Sequence, residues 1–309
     1  MLTLDFINVG YGDAILIRDG AFSALVDCGD WTVGDGGPGS ARISAADFLR
    51  REGVQSLDLL VLTHLHRDHS GGLAEVLKAA QVRTFWTNYL PPRTAWGREL
   101  PISGSYSAGG RCLLESLNIY LAALQAMDLA GTSIREICTS CADLALTPSL
   151  RASVSAGEDA LLRRQAEIWQ YVLDGRADRA LLDKLDQFIN DTSLRLTVCG
   201  SGIRAELPGD VSAACWEAHT PAPCTILKLP HHGHKDSITP GLLRMLSPTH
   251  AVISVSNTRT DDCPSAAVLQ ALARQGCTIH CTDAVHSPLC FAPPHASVHF
   301  SFGASEGNG

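Results

Sequence analysis

The chain has 309 residues, of which 45% are hydrophobic and 18% charged, with 27 glycines, 15 prolines and a formal charge of −8. That length can build a sizeable core, as one large α/β domain or two smaller ones. The acidic balance excludes a generally basic, nucleic-acid-coating surface, but not a local site where metal ions supply the positive charge.

Met1 runs directly into "LTLDFINVG", an alternating pattern that reads as a first strand rather than a signal peptide. The apolar stretch "LNIYLAALQAM" (117–127) is too short to span a bilayer. The eleven cysteines are odd in number and scattered, so most read as buried small hydrophobes in a reducing compartment. The expectation is a cytoplasmic protein with no membrane contact.

In chain order, "LTLDFINV" and "AILIRDG" form a strand pair joined through "GYGD", and "FSALVDCGD" a third strand ending in polar residues. "SAADFLRREG" has a helical period stopped by Gly53, and the strand "LDLLVLTH" follows. "GGLAEVLKAA" is a helix and "VRTFWTNYL" a strand. This is the grammar of a layered α/β sheet with sites at strand ends.

From about 96 to 190 the character changes. A Pro/Gly/Ser-rich loop precedes apolar residues at helical spacing, among them Leu113, Leu117, Tyr120 and Leu124, then Leu162, Trp169 and Val172, then Leu182 and Leu185. The segment reads as a mostly helical insertion, a lid, docking platform or homo-oligomer surface. From Ser193 strands return in "SLRLTVC", "IRAELPGDV", "TILKLPHHG", "THAVISVSN" and "CTIHCTD". The expectation is a single domain over 1–302, with 303–309 a flexible tail.

The chemistry concentrates in "LVLTHLHRDHSGG" (60–72). At a strand end, residues i and i+2 point the same way, so His64, His66 and Asp68 can converge. A turn at Gly71–Gly72 can bring His69 in from the side. Imidazole suits zinc, iron and manganese, and a carboxylate among the ligands suits a hydrolytic centre open to water. Asp210 in "ELPGDV" and His231–His232 in "LKLPHHG" also end apolar strand patterns, and together they complete a two-metal cage. Read singly, Asp210 could as well be a turn residue.

With these residues in hand, the chain resembles the metallo-β-lactamase superfamily: "THLHRDHSGG" matches its His-x-His-x-Asp-His signature and "LVDCGD" the segment before it. More narrowly it resembles the soluble domain of the ComEC competence protein, through "INVGYGDAILI", "NDTSLRL", "LPGD", "ILKLPHHGHKDS" and "AVISVSN". The resemblance implies a four-layered αββα sandwich carrying the helical insertion. It implies that His64 and His66 bind one metal, that Asp68, His69 and a histidine of the 231–232 pair bind the second, and that Asp210 bridges them.

His231, first off the strand, is the favoured ligand, leaving His232 with Asp68, Asp210 and Lys235 in the catalytic set. The superfamily's third histidine for the first metal has no counterpart between His69 and His219. "NDTS" falls in its place, so Asn190 or Asp191 could supply an oxygen, which would shift preference from Zn2+ towards Mn2+. Asp27 would orient the metal loop. Asp13 could anchor it by hydrogen bonds. Lys228 either faces the cleft or lies along the strand edge, and Lys235 and Ser237 stand where a loop could meet a substrate phosphate. Cys138 and Cys141 read as buried helix cysteines, and His286 as a loop residue near the site.

Two divalent cations would activate water for hydrolysis. The branch resemblance tilts the substrate towards a phosphodiester, either nucleic acid or smaller. Lactone, ester or lactam hydrolysis, a mononuclear iron oxygenase and a non-catalytic binding module are the alternatives.

Overall fold

The computed structural model describes residues 1–34, 36–37, 40–218, 221–257, 263–283, 289–290 and 296–303. Strands Leu2–Phe6, Ile15–Asp19, Phe22–Val26, Leu59–Val61, Thr84–Thr87 and Ser133–Glu136 lie side by side in that order, with Val298–Phe302 outside the first. A second seven-stranded sheet runs Thr278–Cys281, His250–Ile253, Ile226–Lys228, Ile203–Leu207, Arg195–Gly200, Leu150–Ser155 and Cys141–Ala145.

Side-chain alternation along these strands builds three apolar layers. Leu59 and Val61 join Leu4, Ile17, Leu196 and Ile226 in a core between the sheets. Leu60, between them, turns the other way onto Phe48, Leu73 and Leu117 of the helices outside the first sheet. Leu227 likewise faces Trp216, Leu242 and Leu269 outside the second. The result is an α/β sandwich of two sheets with helices on both outer faces. The helices start where short polar side chains can take up free backbone N–H groups: Ser44, Ser107, Asp178, Ser212 and Thr239 each accept from a backbone N–H in the first turn.

The segment expected to be a mostly helical insertion is helical only in part. Helices Ala108–Leu129, Asp159–Leu173 and Arg179–Asp186 are present, but between them Ser133–Glu136 extends the first sheet, and Cys141–Ala145 and Leu150–Ser155 extend the second. Leu150, Ala152 and Val154 are buried on one face while Arg151, Ser153 and Ser155 face outward. That two-residue period is written in "LRASVS", but so few large apolar residues mark it that the helices around it dominate the reading.

Cys138 is exposed and Cys141 opens a strand, so neither is a buried helix cysteine. Cys281 is bonded to Cys290, and among the other described cysteines only Cys28, Cys224 and Cys277 are buried. Among the described residues no helix is long and apolar enough to cross a membrane. His286 and the tail beyond Gly303 lie outside the described residues.

Candidate metal centre

The two sheets present their chemistry from the C-terminal ends of neighbouring strands. Asp27 follows Phe22–Val26, His64 follows Leu59–Val61, Asp210 follows Ile203–Leu207, and His232 follows Ile226–Lys228. Beyond His64 the chain stays extended through His66, then makes one helical turn over Arg67–Ser70 that carries Asp68 and His69 back towards the sheet. The turn fits closely: a Cβ at Gly72 would stand 2.1 Å from the carbonyl oxygen of Cys28, so only glycine lets the loop lie this near the neighbouring strand end.

Four side chains meet at one point. Ligand atoms of Asp68, His69, Asp210 and His232 all lie within 4.8 Å of one another. Asp210 Oδ2 is 3.2 Å from His69 Nε2 and 3.3 Å from His232 Nε2, and Asp68 Oδ2 is 3.1 Å from His232 Nε2. Beside this group His64 Nε2 and His66 Nδ1 face each other at 3.2 Å, and the His64 and His69 ring centroids are 4.2 Å apart. The pair and the group of four therefore form one continuous cluster.

The outer nitrogens of three of these rings fix which inner nitrogen carries a lone pair. Thr63 Oγ1 donates to Asp27 Oδ2 at 2.8 Å, and Ser193 Oγ donates to the Asn190 carbonyl at 2.7 Å. Both hydroxyls can therefore only accept from His64 Nδ1, at 3.1 and 3.3 Å. His69 Nδ1 donates to Asp27 Oδ2 at 2.8 Å, and His232 Nδ1 to the Ser254 carbonyl at 3.0 Å. With one proton per ring, each of the three turns Nε2 inward as an acceptor, towards carboxylates for His69 and His232 and towards His66 Nδ1 for His64. The inward Nε2 of His69 is buried and has no hydrogen-bond partner. Lone pairs facing carboxylates repel unless a cation lies between them, so this donor set fits divalent metal ions.

Without a metal, protons take the place of that cation. Burial alone would lower the pKa of His69 and His232, but Asp210 with Asp27 outweighs it for His69 and raises that ring well above its ordinary value. Asp210 and Asp68 raise His232 to about 9. His64 goes the other way, held neutral by burial and by the neighbouring rings of His69 and His66. Burial would raise the Asp210 carboxyl, yet His232, His69 and Lys228 together hold it well below the usual carboxylate range.

Several expected residues stand elsewhere. His231, the favoured ligand, points out of the cluster: its Nδ1 meets Asp236 Oδ1 at 3.1 Å and its Nε2 meets the Asn190 amide at 3.3 Å. His232 enters instead because residues 231 and 232 both adopt left-handed backbone, φ 49° and 52°, at a cost of about 1–2 kcal/mol each. That turn reverses the order expected from the strand.

Asp191 is engaged elsewhere, while Asn190 Oδ1 is buried with no hydrogen-bond partner. Asp191 Oδ1 accepts from Ser212 N at 2.8 Å, and it is Ser193 of the same "NDTS" that reaches His64, from behind. Lys228 does not face the cleft. It is buried in an ion pair with Asp13, and its Nζ is 3.4 Å from Asp210 Oδ1. Lys235 is exposed and absent from the cleft lining. Ser237 is buried with its hydroxyl unpartnered, and neither residue is among those that line the cleft.

Asp13 sits under the metal loop, its N–H donating to the Asp68 carbonyl at 3.1 Å. Asp27 accepts from Thr63 N, Thr63 Oγ1 and His69 Nδ1, each at 2.8 Å.

The cluster opens into a cleft of about 280 Å³ lined by Tyr11, Asp30, His66, Arg67, Asp68, Cys112, Asp210 and His231. Sequence reasoning missed Tyr11, whose ring lies 4.1 Å from that of His232, although it stands between the two glycines of "GYGD". It also missed Asp186, whose Oδ1 is 3.4 Å from His66 Nε2.

Residues 7–102 match the family model of the metallo-beta-lactamase superfamily. Among solved structures, Zn2+-bound PqqB from Methylobacterium extorquens aligns at 12% identity over 98% of this chain and 100% of that chain, with a TM-score of 0.50. The metallo-beta-lactamase fold protein YhfI from Bacillus subtilis aligns at 11% identity over 91% and 96%, TM-score 0.49. A diphosphatase from the PhnP family aligns at 12% identity over 97% and 98%, TM-score 0.45. No curated protein sequence matches the chain. The chain therefore has the metallo-beta-lactamase sandwich fold, and the family model covers the part of it that carries the metal loop.

Proposed function

We propose that this chain is a metal-dependent hydrolase with a dinuclear centre, and that it cleaves phosphodiester bonds in a small substrate. The observation that carries the reading is the inward set of acceptor nitrogens on His64, His69 and His232, each fixed by a committed outer hydrogen bond, around Asp68 and Asp210. His64 and His66 would hold one cation, Asp68, His69 and His232 the other, and Asp210 would reach both. Zn2+ or Mn2+ suits this mixture of imidazole and carboxylate. When bound, two such ions make water a nucleophile at neutral pH and stabilise charge on the leaving oxygen.

The chain's own groups do the rest. Lys228 and the His231 backbone N–H both contact Asp210 Oδ1, at 3.4 and 3.0 Å, which leaves Oδ2 aimed into the cluster. Tyr11 packs its ring against that of His232 at the mouth of the cleft.

The cleft favours a small substrate over nucleic acid. Among the described lining residues the one lysine or arginine, Arg67, is already held by Asp30 at 3.2 Å and Glu115 at 2.9 Å, whereas backbone-binding surfaces of nucleic-acid enzymes present several lysines and arginines. The same acidic rim favours a second reading, lactone or carboxylic-ester hydrolysis, in which no phosphate has to be met. The preference for a phosphodiester rests on the narrower ComEC-like resemblance, through the sequence segments quoted for it.

The test is a substrate panel with Zn2+- or Mn2+-loaded protein: bis(p-nitrophenyl) phosphate, single-stranded DNA and a set of lactones. Turnover of the phosphodiester with little action on DNA, slowed by on the order of 100-fold or more in His232→Ala, is expected. Lactone turnover alone would select the second reading, and inactivity on all three under both metals would refute hydrolysis.

A further inference from the structure

The hydrogen bonds that fix His64, His69 and His232 come from the strand-end loops, but His66 has no such partner. Its Nδ1 faces His64 Nε2, and its outer nitrogen, Nε2, faces Asp186 Oδ1 at 3.4 Å. Asp186 closes the Arg179–Asp186 helix, one of the three helices between residues 96 and 190. We propose that Asp186 is a positioning residue for the histidine pair: its carboxylate holds the proton of His66 on Nε2 and so leaves Nδ1 free as a metal ligand beside His64 Nε2. The assignment rests on the reading of His64 and His66 as ligands and does not depend on the substrate.

The carboxylate occupies a place built for it. The Ala108–Leu129 helix opens with Gly109 and Gly110, residues that weaken a helix by about 1 kcal/mol each relative to alanine. A Cβ at Gly109 would lie 2.2 Å from Asp186 Oδ2, and one at Gly110 would lie 3.2 Å from Leu182 Cβ. The helix thus gives up propensity on the face where the second helix brings Asp186 to His66.

The neighbouring residue is tied to the same region. Arg67 donates to Glu115 of the long helix and to Asp30, with its guanidinium 5.0 Å from the centre of the Trp31 ring. The loop carrying His66 and Asp68 is therefore held from the helical side at two successive residues. Carboxylates that receive the outer N–H of a ligating histidine commonly fix its tautomer and raise its basicity, and their loss costs about 10–100-fold in metal affinity.

Two substitutions separate this role from mere packing. Asp186→Ala removes the carboxylate. Gly109→Ala leaves it present but pushes it aside, at low cost because the displaced atom is the end of a side chain, and it improves the helix. Competition of Zn2+ or Co2+ binding against a chelator should show two ions in the wild type. In both variants one affinity should fall about 10–100-fold and the other stay unchanged, while Gly109→Ala melts at or above the wild-type temperature. In metal-free protein, 15N NMR of the imidazoles should find His66 protonated on Nε2 in the wild type and spread over both tautomers in Asp186→Ala. Two wild-type ions whose affinities are unchanged in both variants would overturn this assignment alone. A wild type binding a single ion would overturn the ligand reading of His64 and His66 as well.

Discussion

At one end of the cluster Asp68, His69, Asp210 and His232 meet with two negative charges among two imidazoles; at the other, His64 and His66 meet with no carboxylate between them. The charged end is buried, and its outer partners are supplied by the strand-end loops: Asp27 behind His69, the Ser254 carbonyl behind His232, and Lys228 behind Asp210. The neutral end relies on hydroxyls behind His64 and on a half-exposed carboxylate behind His66. A cation at the charged end would be drawn by both Asp68 and Asp210, whereas one at the neutral end would have two rings and the carboxylate of Asp210 alone. The two ends should therefore fail differently.

The largest effect is expected at the residue both ends share. Asp210→Asn should abolish hydrolysis and leave Lys228 with Asp13 as its only ionic partner. Because Asp13 still compensates Lys228, the loss of stability should stay below the about 3–5 kcal/mol of an uncompensated buried charge, read in urea unfolding as a lowered midpoint even in metal-free protein. A variant with wild-type turnover would remove Asp210 from the centre.

Next comes the histidine pair. His232→Ala should lose the ion of the charged end and slow turnover by on the order of 100-fold or more, since even outer partners of ligands cost about 10–100-fold. His231→Ala should keep both ions, because its ring bonds Asp236 and Asn190 outside the cluster. Ion counts by elemental analysis decide between them, and the reverse pattern would restore the order suggested by the strand.

That pair shows where sequence reading reached its limit. The metal loop, Asp27 and Asp210 could be read because each is a polar residue ending an apolar strand, and strand periodicity says where such residues go. Which of two adjacent histidines enters a site depends on backbone φ, and nothing in "PHHG" announces two consecutive left-handed residues. Lys228 was open for a related reason. Alternation places it on one face of its strand but cannot say whether that face meets the cleft or the buried carboxylates of Asp13 and Asp210. Asp186 was out of reach altogether, because its contact with His66 depends on how a helix over a hundred residues later packs across the loop. The one local trace of it is a pair of glycines at the start of a helix.

Removing the metal should expose the charged end through its pH dependence. The folded-state pKa of His232 is raised to about 9, above the ordinary value near 6.5, so its proton stabilises the metal-free fold fully below about pH 6.5. That contribution is lost as pH rises through about 9, on the order of 3 kcal/mol in total, and His69 shifts in the same direction. Chelated protein should therefore melt progressively lower between pH 6.5 and 9, while loaded protein, in which the ion replaces these protons, should not. Metal affinity should rise over the same interval as the competing protons leave. A melting temperature of the chelated protein that is flat across this range would contradict the charge balance assigned to the charged end.

The smallest effect separates the cluster from the loop beyond it. Lys235 and Ser237 follow His232 closely, yet Lys235 is exposed and Ser237 is buried with its hydroxyl unpaired. A residue that met the substrate phosphate would cost turnover when truncated. A buried hydroxyl without a partner carries a desolvation penalty of about 1–3 kcal/mol, which alanine removes. Ser237→Ala should therefore leave turnover unchanged and raise the unfolding midpoint by the equivalent of about 1 kcal/mol, and Lys235→Ala should alter neither. A loss of turnover in either variant, with both ions still bound, would mean that this loop closes onto the substrate and that the cleft is larger than the cluster and its rim.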